Sequence, residues 1–246
     1  MSAAPNIAVQ FKSVSKAFGE KRVLNDVSFH VMQGQAMCLL GRSGTGKSVT
    51  LKIIMALMRP DSGEVWVDQE NVVGLGEKSL SPVRKKLGYL FQDAALFDSL
   101  TLYENLALPL SRLTTMSNEE IDNKIRQVLA DVGLGSDGAK YPSALSGGMR
   151  KRAGLARALV LEPKILLADE PSSGLDRITA AEIDDLLLRR KQEHGTAIIV
   201  VTHDVHGARR VADRVAVLDK GALVAFGSVE EVSQNSNEVA RRLITE

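Results

Sequence analysis

The chain has a single cysteine, Cys38, and no apolar run long enough to cross a membrane. One cysteine excludes a disulfide framework and a cysteine metal site. Because Cys38 lies in the apolar stretch AMCLLG, we expect it to be a small buried hydrophobe. The first residues, MSAAPNIAVQ, lack the charged and apolar segments of a signal peptide. These absences predict a soluble, cytoplasmic protein that reaches any membrane through a partner.

The chain also lacks an excess of charge of either sign. Lysine and arginine total 31 against 30 for aspartate and glutamate, for a formal net charge of +1. This balance disfavours a nucleic-acid-binding module, which carries a basic surface. A length of 246 residues allows one large domain, or a domain with an inserted subdomain.

Apolar patterning predicts short strands in the first third of the chain. They cover AVQFKSVSKAF, RVLNDVSFHV and AMCLLG, followed by GEVWVD and LGYLFQ. A helix is predicted from Lys47 to Met58, stopped by Pro60. In the middle, Ser117 and Glu120 form a capping box ahead of a second helix, for which Gly133 is a natural C-terminal residue.

From Pro163 onwards strands and helices alternate. The strands ILLAD, AIIVVT and RVAVLD are separated by the helical patterns TAAEIDDLLLRRKQ and VHGARRVA. Apolar strands alternating with helices predict a parallel sheet buried on both faces. We therefore expect an α/β fold in one domain, residues 1–246, with a core over about 1–93 and 161–246 and a helical insertion over about 94–160.

The segment GRSGTGKS, residues 41 to 48, matches the phosphate-loop pattern G-x-x-x-x-G-K-S between a predicted strand and a predicted helix. Its glycines let backbone N–H groups surround phosphate oxygens, and Lys47 adds a positive charge. Ser48 supplies a hydroxyl for Mg²⁺. The alternative, a glycine-rich turn that only caps a helix, leaves Lys47 without a role.

Two acidic residues end the strand in KILLADEP: Asp169 can hold Mg²⁺, and Glu170 is a candidate general base. The alternative is a solvated acidic turn. His203 follows another apolar strand, IIVVT. Because ligands of parallel sheets bind at the carboxyl ends of the strands, we expect Lys47, Asp169 and His203 to meet there. The remaining histidines are expected at the surface: His30, His194 and His206.

The stretch LSGGMRKRAG predicts the N-terminus of a helix that faces an anion. Ser146, Gly147 and Gly148 would present free backbone N–H groups. Three cations, Arg150–Arg152, follow at once, where positive charge opposes the helix dipole. A solvated helix face is the simpler interpretation for at least two of these three.

Taken in order, GRSGTGKS, LFQ, LSGGM, LLADEP, SGLD and VTHD resemble the nucleotide-binding subunit of ABC transporters, over nearly the whole chain. The resemblance implies a P-loop NTPase (RecA-like) core with a parallel sheet, N-terminal antiparallel strands and an inserted helical subdomain. It also implies an ATPase that uses ATP and Mg²⁺. Two copies would pair head to tail, so that Ser146–Gly148 of one copy face the γ-phosphate bound by the other.

The resemblance assigns further roles by position. Gln92 would sense Mg²⁺ and the attacking water and couple to a membrane subunit, so Ser48, Gln92 and Asp169 form the expected metal set. Asp176 would cross the dimer, and His203 would contact the γ-phosphate beside the general base Glu170. Phe18 would stack on adenine; its alternative is core packing. The loop residues expected to line the phosphates are Gly41, Arg42, Ser43, Gly44, Thr45, Gly46, Lys47 and Ser48.

Three positions depart from the family pattern: Met149 replaces the common glutamine, Val49 a hydroxyl residue and Arg177 a proline. None removes a catalytic group, so we expect a competent ATPase.

The segment FQDAALFDSLTLYENLALPL, residues 91 to 110, together with LSGGMRKRAGLARAL, resembles the lipid-transport ATPases of bacterial Mla/Mce systems. That resemblance implies an integral permease, an MCE-domain lipid-binding partner and a peripheral position on the cytoplasmic face of the inner membrane. Two alternatives stay open, namely a transporter for a different substrate and a signalling cassette of the cell-division type. The tail SQNSNEVARRLITE is expected to be partly helical.

Overall fold

A computed structural model describes residues 6–245. Residues 1–5 lie outside the described residues. They begin the segment MSAAPNIAVQ, which is predicted not to be a signal peptide. The strands are β1 (Ile7–Phe18), β2 (Lys21–Met32), β3 (Ala36–Leu40), β4 (Ser62–Val67), β5 (Glu70–Asn71), β6 (Leu87–Leu90), β7 (Ile165–Asp169), β8 (Ala197–Thr202), β9 (Arg214–Asp219) and β10 (Ala222–Gly227). The α-helices are α1 (Lys47–Ile54), α2 (Glu77–Arg84), α3 (Leu102–Leu113), α4 (Asn118–Asp131), α5 (Gly147–Leu159), α6 (Arg177–His194), α7 (Val205–Val211), α8 (Val229–Ser233) and α9 (Glu238–Thr245).

The strands form two sheets. An antiparallel sheet has the order β2-β1-β4-β5, and a six-stranded sheet has the order β10-β9-β3-β8-β7-β6. In the larger sheet all neighbours are parallel except β10, which runs antiparallel to β9. This arrangement confirms the predicted α/β fold with a parallel core sheet and N-terminal antiparallel strands.

The central strands are buried on both faces, as their unbroken apolar sequences predict. Every residue of β3, β7 and β8 is buried. Side chains alternate across the sheet, so Cys38 joins one hydrophobic cluster with the helices, while Met37 and Leu39 join the cluster beneath the antiparallel sheet. Cys38 is fully buried, which confirms the prediction for this residue.

Helices α3, α4 and α5 stand between β6 and β7, in the segment for which the sequence predicts a helical insertion. The capping box of Ser117 and Glu120 opens α4 as predicted, and Gly133 follows it with a left-handed φ of 71°. Thr101 and Glu104 form a second capping box at the start of α3. Such boxes define helix starts because each side chain accepts a backbone N–H that the helix leaves free.

Several boundaries differ from the predictions. Helix α1 ends at Ile54 rather than Met58, because the chain turns through a left-handed residue, Ala56, before Pro60. Helices α2 and α8 and strand β10 were not predicted; α2 contains Pro82, which obscures its helical pattern. The tail is partly helical as expected, in α9. Within residues 6–245, no helix combines the length and the apolar character that a bilayer crossing needs.

Candidate nucleotide-binding site

The candidate site lies along the edge of the larger sheet that is formed by the carboxyl ends of its parallel strands. Strands β3, β8, β7 and β6 are consecutive parallel neighbours, so their carboxyl ends lie side by side. The phosphate loop follows β3, and His203 follows β8. Glu170 follows β7, and Gln92 comes shortly after β6. Four segments far apart in sequence thus converge at this edge.

An open cleft of about 690 Å³ occupies this position. Its lining residues are Val23, Arg42, Ser43, Gly44, Gly46, Lys47, Ser48, Val49, Gln92, Glu170 and His203. The cleft therefore brings together six of the eight predicted phosphate-loop residues with Gln92, Glu170 and His203. Gly41, Thr45 and Asp169 are not among its lining residues. Val23 of β2 also lines it, a residue that the sequence analysis missed.

Glycine geometry shapes the phosphate loop. Gly44 and Gly46 have φ values of 78° and 105°, which side-chain-bearing residues rarely adopt. A Cβ on Gly46 would lie 2.7 Å from the carbonyl oxygen of Val23. Helix α1 begins at Lys47, directly after this turn, so the free N–H groups of its first turn lie next to the loop. This combination is suited to binding phosphate.

The Lys47 side chain is held inside the loop. Its Nζ donates to the carbonyl oxygens of Gly41 at 2.8 Å and Arg42 at 3.3 Å. Thr45 Oγ1 also donates to the Arg42 carbonyl, at 2.9 Å. The ammonium group is therefore fixed where the loop opens into the cleft.

Ser48 and Asp169 fit a magnesium site. Ser48 Oγ donates to Asp169 Oδ1 at 3.0 Å, and Tyr89 OH donates to Asp169 Oδ2 at 3.4 Å. Burial raises the pKa of the Asp169 carboxyl, and the hydrogen bonds from Ser48 and Tyr89 oppose that shift. Hydroxyl, carboxylate and amide oxygens are ligands that Mg²⁺ accepts, and the amide of Gln92 lines the same cleft. Tyr89 was not singled out from the sequence, although a tyrosine in a buried strand needs a partner for its hydroxyl.

Glu170 and His203 form a pair. Glu170 Oε2 lies 2.9 Å from His203 Nδ1 and accepts from Thr202 Oγ1 at 3.2 Å. Glu170 has a left-handed φ of 47°, which is unfavourable for a residue with a side chain. Its N–H donates to the Val201 carbonyl at 2.8 Å, so the backbone conformation is held by the neighbouring strand. This conformation places the carboxylate at the cleft.

The signature residues lie outside the cleft that their own chain forms. Ser146 Oγ accepts from the N–H of Met149 at 3.3 Å and caps α5. Ser146 and Gly147 are exposed, while Gly148 is buried. A Cβ on Gly148 would overlap the Cγ2 methyl of Thr179. The exposed end of α5 is therefore free to face another molecule.

The three cations after Met149 differ in environment. Arg150 is exposed, and its guanidinium donates to the Leu145 carbonyl at 2.7 Å. Arg152 is half-buried, and Lys151 is buried. The interpretation of these cations as a mostly solvated face thus fits Arg150 only. The position of Lys151 depends on contacts with distant segments, which local sequence does not reveal.

Asp176 and Phe18 are two further predicted residues that do not line the cleft. Asp176 Oδ1 accepts from the N–H groups of Ile178 at 3.0 Å and Thr179 at 3.1 Å, which caps α6. Phe18 ends β1 with 48% of its surface exposed, so it is not part of the core. Lys16 Nζ lies 5.6 Å from the centroid of its ring. Contacts of Asp176 across a dimer and stacking of Phe18 on adenine stay predictions.

Comparison with known proteins identifies the relatives of the chain. The family model described as ABC transporter matches residues 24–173. The chain is 42% identical over 238 residues to the "probable ribonucleotide transport ATP-binding protein mkl" of Mycobacterium leprae, covering 97% of this chain and 69% of that protein. It is 39% identical over 241 residues to the methionine import ATP-binding protein MetN of Caulobacter vibrioides, covering 97% of this chain and 72% of that protein. The chain thus spans about two thirds of the length of such relatives, 66% for mkl of Mycobacterium tuberculosis.

A solved structure gives the same result for the fold. A dimeric ATP-binding cassette in a post-hydrolysis state, bound to ADP and Pi, superposes with a TM-score of 0.83 at 35% sequence identity. The match covers 89% of this chain and 98% of that one.

Proposed function

Because the chain belongs to the ABC transporter family, whose ATP-binding subunits bind ATP with Mg²⁺ and hydrolyse it, we propose that the cleft beside Lys47 is its ATP site. The observation that supports this assignment is the convergence of the phosphate loop, Glu170 and His203 at one edge of a parallel sheet. Lys47 and the N–H groups at the start of α1 bind the phosphates.

Ser48, Asp169 and Gln92 would hold Mg²⁺, which neutralises phosphate charge when it is bound. Glu170 accepts the proton of the attacking water. His203 orients the Glu170 carboxylate through Nδ1, and it would also contact the terminal phosphate. The buried hydroxyl of Tyr89 holds the second oxygen of Asp169.

The site is completed by a second copy of the chain. Ser146–Gly148 are absent from the lining of their own cleft, yet they form the N-terminus of a 13-residue helix, at which Ser146 and Gly147 are exposed. Such an end binds anions through its free N–H groups. In a head-to-tail dimer each copy offers this end, together with Asp176, to the ATP of the other. ATP binding closes the dimer and hydrolysis opens it.

The cassette drives a membrane permease from the cytoplasmic face of the inner membrane. We propose import of a small polar solute as its task, since relatives are named for ribonucleotide transport and methionine import. The predicted phospholipid cargo with an MCE-domain partner rests on residues 91–110 and Met149, and the names of the relatives do not support it. Lipid transport is therefore the second candidate.

Extraction of the complex from native membranes in mild detergent, followed by mass spectrometry of its proteins and lipids, tests this choice. A permease with a solute-binding protein is the expected result. An MCE-domain protein with bound phospholipid would replace solute import by lipid transport, and a cell-division protein would replace transport by signalling. ATP hydrolysis is measured on the same preparation, because a complex without it would contradict the ATP-site assignment.

A further inference from the structure

Lys151 occupies an unusual position for a lysine. It lies in α5, one turn after the signature glycines, and only 7% of its surface is exposed. An ammonium group has three N–H donors and no acceptor. Lys151 Nζ donates to three oxygens, namely the carbonyl of Gln92, the carbonyl of Glu170 at 3.0 Å and Oγ of Ser173 at 3.2 Å. Each donor therefore has one acceptor.

These three acceptors belong to separate segments of the chain's own site. Gln92 lies in the loop after β6, Glu170 follows the end of β7, and Ser173 lies in the turn that leads to α6. The contact between Lys151 and Gln92 joins residues 59 positions apart in the chain. One side chain of the signature helix thus holds the backbone of Gln92 and of Glu170, the residue that carries the catalytic carboxylate, and the side chain of Ser173.

Burial of this charge is costly. Removing an ammonium group from water costs several kcal/mol before its new partners are counted, and burial lowers the pKa of Lys151. The nearby charges of Asp93, Glu170 and Asp169 oppose that shift. An apolar side chain would fill the same space without this cost, so packing alone does not explain a lysine here.

We propose that Lys151 is a positioning residue that couples the chain's own ATP site to the signature end of α5, which serves the ATP of the partner copy. The inference rests on the proposed two-copy ATP site. When Gln92 and Glu170 shift with nucleotide at their own cleft, the ammonium group moves the signature helix with them. The two ATP sites of a dimer then communicate through each copy.

A second contact limits the independent movement of α5. Gly148 packs so closely on Thr179, in the first turn of α6, that it has no room for a Cβ. Thr179 Oγ1 in turn donates to Asp176 Oδ2 at 2.7 Å. Helix α5 is therefore held against Thr179 of α6 through Gly148, and against Gln92 and Glu170 through Lys151.

Lys151→Met tests the inference in the complex purified from native membranes. This change removes all three donors and keeps an unbranched stem of similar length. We expect kcat for ATP hydrolysis to fall at least about tenfold. The Hill coefficient, for which two sites set an upper limit of about 2, should fall toward 1. The Kd for ATP stays within about twofold, because Lys151 does not line the cleft. Lys78→Met, at an exposed position in α2, is the matched control and leaves all three values unchanged.

Lys151→Gln separates positioning from folding. Glutamine restores an N–H donor without the charge, so kcat and the Hill coefficient should recover part of the loss. If both folded variants keep the kcat and the Hill coefficient of the unchanged complex, the inference is overturned. It is also overturned if activity falls only in proportion to the amount of folded protein, which is measured by thermal unfolding. Absence of ATP hydrolysis in the unchanged complex would instead contradict the proposed function.

Discussion

His203 Nδ1 lies 2.9 Å from Glu170 Oε2. The imidazole is 70% exposed, whereas the carboxylate is only 13% exposed. The same carboxylate oxygen lies near Thr202 Oγ1 and the N–H of His203, so the end of β8 holds it from several directions. The orientation of the proposed general base therefore depends on its neighbour as well as on its own backbone.

Glu170→Gln should stop hydrolysis and preserve binding. The amide keeps the size of the side chain but cannot accept the proton of the attacking water, and general-base catalysis contributes roughly 10²- to 10⁴-fold. We expect the rate of ATP hydrolysis to fall at least about 100-fold while ATP still binds and traps a dimer. The rate is measured by phosphate release and the dimer by size-exclusion chromatography. Glu182→Gln, at an exposed position in α6, is the control. A Glu170→Gln variant that stays monomeric with ATP and its permease present would contradict the two-copy site.

Lys47→Ala should weaken nucleotide binding itself. Loss of the ammonium group removes a charge that is held at the mouth of the phosphate loop. We expect the Kd for ATP to rise at least about tenfold, which corresponds to about 1.4 kcal/mol. Titration with a fluorescent ATP analogue measures this change. Lys52→Ala, an exposed lysine in the same helix, should bind ATP normally. Equal affinity in the two variants would disprove the role of Lys47.

Gly148→Ala should destabilise the fold, because the new methyl group overlaps Thr179 Cγ2. Overpacking of this kind typically costs about 1–3 kcal/mol. Denaturant unfolding measures the cost. Adding Thr179→Ser removes the methyl group and keeps the hydroxyl that contacts Asp176, so stability should be largely restored. At Gly147 a Cβ would meet Leu175 Cδ2 at an ordinary 3.8 Å, so Gly147→Ala should unfold like the unchanged chain. A destabilisation of Gly148→Ala that Thr179→Ser does not relieve would exclude this contact as its cause.

Asp184→Asn should change the pH dependence of stability. Burial, and the nearby charge of Asp204, raise the pKa of Asp184 from 3.8 to about 6, while Arg210 and His206 oppose the shift and Asp185 adds to it. Between these two pH values the native state binds more protons than the unfolded state, so stability falls as the pH rises. The destabilisation caused by the ionised Asp184 carboxylate reaches its full size above about pH 6. There the Asp184→Asn variant should be more stable than the unchanged protein by about 1–2 kcal/mol.

The gain from Asp184→Asn should disappear toward pH 4, because the carboxyl is then protonated in the native state. Free energies of unfolding at pH 4 and pH 7.5 measure the difference. Asp98→Asn, at an exposed position, should show no such pH dependence. A gain from Asp184→Asn of the same size at both pH values would show that titration of this group is not the cause.

Local sequence was sufficient for most of the strands and for several helices. The buried strands β3, β7 and β8 follow from unbroken apolar runs, and the start of α4 follows from the Ser117–Glu120 capping box. Each signal lies within a few neighbouring residues. Helix α2 and the early end of α1 are not predicted. Pro82 lies inside α2, and Ala56 takes a left-handed φ after α1. Both conformations depend on the packing of the surrounding chain.

The phosphate loop and the chemistry of its neighbours could be read from the order of residues, because GRSGTGKS and the strand-ending Asp169 and Glu170 carry their roles in their residue types. Only the folded chain decided which of these groups touch. The pairing of Glu170 with His203 and the burial of Lys151 between Gln92 and Glu170 depend on the lateral order of parallel strands and on how α5 packs against them. Those contacts join residues between 19 and 59 positions apart, so no local pattern records them.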